Sequence, residues 1–182
     1  MAQFVAFEKG VEVNGQTVLA VVNAIPTGKE FRIELLESFG IIDPDPTIWY
    51  DQQDWLYVFQ KISEELGSNT LFSIGKAIPD NAKFPSEINT LEKAFLSIDE
   101  AYHMNHRGGE IGYYKLVSFD LTNQHATMVC KNPYPSDFDK GIITSMLKKF
   151  KPKNSVKNIV EIDETKETRL NGFDSCTYSI AW

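Results

Sequence analysis

Through the first hundred residues apolar positions recur every three or four residues, and after Gly109 they recur every second residue. The first period is that of helices packed by one face, the second that of strands. Val18, Leu19, Val21, Val22 and Ile25 predict a first helix that Pro26 ends. Thr27, with Glu30 three residues on, has the form of a capping box opening a second helix. Phe31, Leu35, Leu36 and Phe39 line that helix, and Gly40 stands where a glycine cap belongs. Asp43-Pro44-Asp45-Pro46 reads as a turn, because each proline biases its predecessor out of the helical region. A third helix is expected from about Gln52 to Leu66, with Trp55, Phe59, Ile62 and Leu66 as its stripe and Gly67 as its stop. A shorter one runs from Thr70 to Ile78 and ends at Pro79. The longest is expected from about Ser86 to His106, with Leu91, Ala94, Phe95, Ile98 and Tyr102 inward and Gly108-Gly109 behind it.

In the second half, Tyr113, Lys115, Val117 and Phe119 alternate with Tyr114, Leu116 and Ser118, which predicts a strand over 111–120. A turn at 121–124 leads to a return strand, His125 to Lys131, broken by Pro133-Tyr134-Pro135. A helix from about Ser136 to Phe150 buries Ile142, Ile143, Met146, Leu147 and Phe150. Strands at 156–163 and 175–182 follow, with Asn171-Gly172 as a turn between them. The expectation is one α+β domain over 1–182. Its 1–109 part is mainly helical, and 110–182 form a four-stranded antiparallel ββαββ sheet with a crossover helix.

The bulk numbers narrow the function. Eighteen basic against 25 acidic residues leave a charge of −7, which repels a phosphate backbone. Lys148, Lys149, Lys151, Lys153 and Lys157 sit at and beyond a helix end, where cations favour the helix dipole. No nucleic-acid partner is expected. No apolar run approaches the roughly 18–20 residues of a membrane span, and the N-terminus lacks an export signal, so the cytoplasm is the expected location. Two cysteines are too few for a disulfide scaffold. On strands, Cys130 and Cys176 read as small buried hydrophobes.

Standard catalytic signatures are missing: no Gly-x-Ser-x-Gly elbow, phosphate-binding glycine loop, dinucleotide fingerprint or His-Glu-x-x-His. Asp43, Asp45, Asp51 and Asp54 look like turn and capping groups. The chain is therefore not expected to be an enzyme. The segment Ala101-Tyr102-His103-Met104-Asn105-His106 is unusual, because two histidines three apart on a helix occupy neighbouring faces. They could share a ligand or a metal; alternatively one caps the helix end while the other hydrogen-bonds in the core. A metal would need further ligands, and only Cys130, Cys176 and His125 offer non-carboxylate ones. Tyr134, between its two prolines, stands at the edge of a possible cleft.

From Leu91 to Trp182 the chain resembles the superfamily of ligand-binding domains shared by haem–nitric-oxide/oxygen-binding (H-NOX) domains, 4-vinyl-reductase domains and the transport-particle subunits of Golgi traffic. All combine a helical first part and a long helix with an antiparallel sheet interrupted by a crossover helix. H-NOX domains hold haem iron through a histidine on the long helix, after an apolar position; Phe95 and His103 have a similar spacing, with Ile98-Asp99 between them. Their second anchor, Tyr-x-Ser-x-Arg, binds the haem propionates. The matching stretch here, Cys130-Lys131-Asn132-Pro133-Tyr134, has no Ser-x-Arg. Without that arginine the two carboxylates lose charge-assisted hydrogen bonds, so no haem and no other cofactor is expected. The tail Gly172-Phe173-Asp174-Ser175-Cys176-Thr177-Tyr178 is similar to the 4-vinyl-reductase ending, but Thr168 stands where that family has its first cysteine. A cysteine-rich metal site is accordingly not expected.

The resemblance implies a small-molecule-binding sensory or regulatory domain. Its pocket would lie between the long helix and the sheet, lined by Tyr102, His103, His106 and Tyr134, and it would take a small apolar ligand and signal through a partner. A homodimeric assembly domain with a closed core is the alternative. A small enzyme using the histidine pair as acid and base is a third.

Overall fold

The computed structural model describes residues 3–182. Its helical half holds α1 (Gly15–Val22), α2 (Lys29–Ser38), α3 (Gln52–Leu66), α4 (Ser68–Asn81) and α5 (Leu91–Met104). Three short strands, β1 (Glu12–Asn14), β2 (Trp49–Asp51) and β3 (His106–Arg107), form a small antiparallel sheet in the order β2-β1-β3. The other half is β4 (Tyr113–Asp120), β5 (His125–Lys131), α6 (Ser136–Phe150), β6 (Ile159–Ile162) and β7 (Ser175–Ala181). Its strands pair antiparallel in the order β4-β5-β7-β6, the expected ββαββ sheet. On β5 and β7 every second residue is buried, which puts Ala126, Met128 and Cys130 with Cys176, Tyr178 and Ile180 on the face toward the helices.

Several sequence expectations change in detail. The little sheet has strands of two or three residues, too short to show a period. The capping box at Thr27 does not form. Instead α2 starts behind Gly28, whose left-handed φ of 73° turns the chain, and no side chain caps it. The corner is held by Arg32, whose buried guanidinium donates to the Val22 carbonyl (2.8 Å) at the end of α1 and to the Ile25 and Thr27 (2.8 Å) carbonyls of the loop behind it.

Pro79 does not end α4, which runs on to Asn81. Here α6 supplies the missing restraint: Lys149 Nζ donates to the Pro79 carbonyl (2.8 Å) and Ser145 Oγ to Asp80 (2.6 Å). The two helices touch backbone to backbone. A Cβ on Gly75 would lie 2.1 Å from the Phe138 carbonyl oxygen, and one on Gly141 2.2 Å from that of Phe72. The helical half is thereby pressed directly against the crossover helix.

The strand β4 carries a register shift between Leu116 and Ser118. This bulge reverses the parity expected from strict alternation. Phe119, not Ser118, therefore faces inward, stacked on Trp182 with centroids 5.1 Å apart. The long helix is shorter than expected at both ends. Thr90 caps it by accepting from Lys93 N, and Asn105 closes it, which releases His106 into β3. The expectation that both histidines sit on one helix is thus corrected. Cys130 and Cys176 are buried directly opposite each other on β5 and β7, as a small-hydrophobe role requires.

Candidate functional site

Three of the four residues singled out from the sequence meet where the helical half touches the sheet. Tyr102 comes from the last turn of α5 and His106 from β3; Tyr134 is aimed inward by an Asn132 side chain that accepts from its backbone N–H (3.0 Å). All three are buried. The His106 Nδ1 lies 2.8 Å from the Tyr102 carbonyl, which can only accept, so the proton sits on Nδ1. The bare Nε2 then accepts the Tyr134 hydroxyl at 2.6 Å. Burial above all, with a smaller contribution from His103, lowers the His106 pKa to about 4, and the Tyr102 carbonyl only partly opposes this. At neutral pH the ring is uncharged. His106 therefore combines the two structural roles weighed for the pair, capping a helix carbonyl and bonding in the core.

His103 does not join this group. It lies on the outer side of α5, about half exposed, with Nδ1 against the Asp99 backbone carbonyl at 3.0 Å. The sequence missed two members of the cluster, Gln52 and Trp55. Both are fully buried, and the Gln52 Oε1 and Nε2 and the Trp55 Nε1 have no hydrogen-bond partner. The Gln52 amide is close enough to Tyr102 and Tyr134 to favour ionisation of both hydroxyls, and Trp55 does the same for Tyr134. Burial is the larger effect, raising both Tyr102 and Tyr134 well above the ordinary value. Both tyrosines stay protonated. A glutamine at a predicted helix start reads as a surface residue, so nothing in the sequence marked it.

A second polar group lies deeper. Arg169, in the short 3-10 turn Arg169–Asn171, reaches under α6 to Asp139. Its other donors meet the Asn132 carbonyl (2.9 Å), the Ser136 hydroxyl (3.4 Å) and the Tyr178 hydroxyl (3.3 Å). Asp139 also accepts from Tyr114 and from Asn132 Nδ2 (3.1 Å). Burial is the largest single effect and opposes the Arg169 charge, but the Asp139 carboxylate together with Tyr178, Cys176 and Cys130 outweighs it, so the guanidinium is held well above its ordinary value. Thr168, where the 4-vinyl-reductase pattern has a cysteine, only caps this turn. Among the described residues no group of three histidine, cysteine or acidic side chains is placed to hold a metal.

No protein-family model and no curated protein matches the chain. Solved structures do. An oxygen-binding H-NOX domain related to soluble guanylate cyclases, in its oxygen complex, is 22% identical at a TM-score of 0.65, over 92% of this chain and 94% of that one. An H-NOX protein from S. oneidensis in the Fe(II) state gives 12% and 0.68, with 92% and 95% covered. A protein studied for porphyrin distortion and haem redox potential gives 19% and 0.64, with 93% and 99% covered. The chain has the H-NOX fold. These likenesses speak for the H-NOX arm of the resemblance and extend it over the helical half, where the sequence carried little of it.

The H-NOX fold implies haem, and the residues present do not fit one. Of the three histidines, buried His106 has both nitrogens engaged, His103 faces outward, and His125 at the start of β5 is bonded to the Ser179 hydroxyl (3.0 Å). The buried arginine already neutralises Asp139 and has no donor left for a propionate. The space between the halves is filled by rings in contact. Phe59 lies 5.0 Å from Trp55, 5.3 Å from Tyr134 and 5.0 Å from Phe138, and Tyr102 lies 4.3 Å from His106 and 5.2 Å from Tyr114. Two recesses of about 180 Å³ open elsewhere, one between α1 and α2, the other beside the N-terminal segment. Neither lies between α5 and the sheet.

Proposed function

We propose that the chain is a haem-independent, non-catalytic sensory or regulatory domain of the H-NOX fold. It binds a small molecule where the helical half meets the sheet and passes the change to a partner protein or a second copy. The observation that carries this reading is the incomplete hydrogen bonding of Gln52 and Trp55 beside the Tyr102–His106–Tyr134 group. Buried polar atoms without partners are uncommon in native cores and mark a place for water or a ligand. The fold supports the same direction, since solved proteins that share it include an oxygen complex and an Fe(II)NO state. No described helix is long and apolar enough to cross a membrane.

Native mass spectrometry of the freshly purified protein, with a denatured spectrum beside it, tests the reading. A mass excess lost on denaturation is expected. A bare mass across preparations from several growth conditions counts against it. Added haem is expected to give no sharp Soret band; a stoichiometric band abolished by His106→Ala would overturn the argument from the engaged nitrogens.

The assembly reading has its own support in the backbone contact of α4 with α6 and the ring-filled interior. On that reading the same spectrum shows a homodimer of bare chains whose population rises with concentration.

A further inference from the structure

The proposed binding role says nothing of the ligand's chemistry or its route, and both follow from what surrounds Gln52. The unpartnered atoms are one carbonyl oxygen and two amide N–H groups of Gln52, with the indole N–H of Trp55. The surroundings carry no free charge: His106 is neutral, the two tyrosines are protonated, and Arg169 is spent on Asp139. An ion brought here would lose its hydration with nothing to offset the loss. A neutral guest rich in acceptors, with an N–H to return to the Gln52 carbonyl, matches the donors and the acceptor on offer.

The route is marked by the N-terminal segment. Phe4 to Val11 crosses the start of α3 as a strap. The Gln53 side chain ties it twice, accepting from Ala6 N and donating to the Phe4 carbonyl, both at 2.9 Å. Phe4 N also donates to the Pro133 carbonyl (2.7 Å). The anchors are thus the chain neighbours of Gln52 and of Tyr134. Phe4 has a left-handed φ of 66°, a conformation that costs an L-residue energy and persists only while its contacts hold it. The recess of about 180 Å³ beside the strap is lined by Glu8, Lys9, Val11 and other strap residues and by Asp51 and Gln53, the chain neighbours of Gln52.

We propose that this strap is a lid over a site for a small uncharged carbonyl compound of the amide or urea class, held by Gln52 and Trp55. The site deepens the ligand-binding reading and rests on it. Opening breaks the Gln53 and Pro133 bonds, the bond from Gln52 N to the Val11 carbonyl (2.8 Å) and that from Glu110 N to the Glu8 carboxylate (3.1 Å), and leaves the four-stranded sheet and the Arg169–Asp139 pair untouched.

Acetamide is the probe, and the indole N–H signals of ¹⁵N-labelled full-length protein are the readout. Trp182 supplies the control, because its Nε1 is also buried and unpartnered but lies beside Phe119, not Gln52. The Trp55 signal is expected to shift saturably with acetamide while Trp182 stays still. Gln52→Leu should abolish the shift. Gln53→Leu should keep it and speed the exchange, since the lid is then untied. Equal, non-saturating shifts of all three indoles, or none at Trp55, would overturn the proposal. A molecule retained in native spectra whose addition leaves Trp55 unmoved would also overturn this site, while the binding reading itself stands.

Discussion

The core holds two buried polar groups built on opposite terms. Around Arg169 and Asp139 every donor of the guanidinium is used, and both carboxylate oxygens accept from neighbouring side chains. Around His106 and Tyr134 the pair itself is satisfied, but Gln52 and Trp55 beside it are not. The first group joins the turn before β7 to α6 and the end of β5, so it works as a lock. The second has hydrogen-bonding capacity left over, and that capacity is what a ligand site requires. Burial alone would not have told them apart; the count of unmet donors and acceptors does.

The comparison breaks most sharply at Asp139. Asp139→Asn keeps the shape but leaves Arg169 charged and unpaired in the core, an expected loss of about 3–5 kcal/mol in urea unfolding. A loss under 1 kcal/mol would mean the network is not the lock described. His106→Leu comes next, at about 1–3 kcal/mol, because the Tyr134 hydroxyl loses its acceptor.

His106 also gives the fold a pH dependence with a fixed sign. Its folded value of about 4 lies below the ordinary histidine value of 6.5, so as pH falls the unfolded chain takes up the proton first. The stability is complete above about 6.5 and is lost as pH falls toward 4, by about 3 kcal/mol in all. Unfolding curves at pH 7 and 4.5 should differ in the native chain, and His106→Gln should remove most of the part due to this residue.

Gln52→Leu is expected to be neutral or slightly stabilising in the ligand-free protein, within about 1 kcal/mol, since it removes two unmet polar atoms. A cost like that of Asp139→Asn would show that Gln52 belongs to a closed network after all. His103→Ala should do least, within about 0.5 kcal/mol, because the ring is at the surface.

How far the sequence reached can be seen at particular residues. The turn at 132–135 and the amphipathic Ser136–Phe150 segment mark the crossover helix correctly, because local preference and burial agree there. Tyr102, His106 and Tyr134 were legible as unusual, although His106 was placed on the wrong element. Asn105 ends α5 one turn before the glycines that looked like the stop. Gln52, Trp55 and Arg169 were not legible as site residues: a polar residue reads as exposed and an aromatic one as core until the partners around each are known.

The order of the six helices and of the four strands of the larger sheet, and the −7 charge, were set by the sequence, since each depends on local periodicity or on a count; the three short strands of the small sheet were not. What only the tertiary structure decided is which polar atoms are matched. Arg169 meets Asp139 thirty residues away, Gln53 ties a strap some 49 residues before it, and Gly75 and Gly141 let two helices meet where a larger residue would hold them apart. Hydrogen bonding and close packing are relations between distant positions, and a period along the chain carries no record of them.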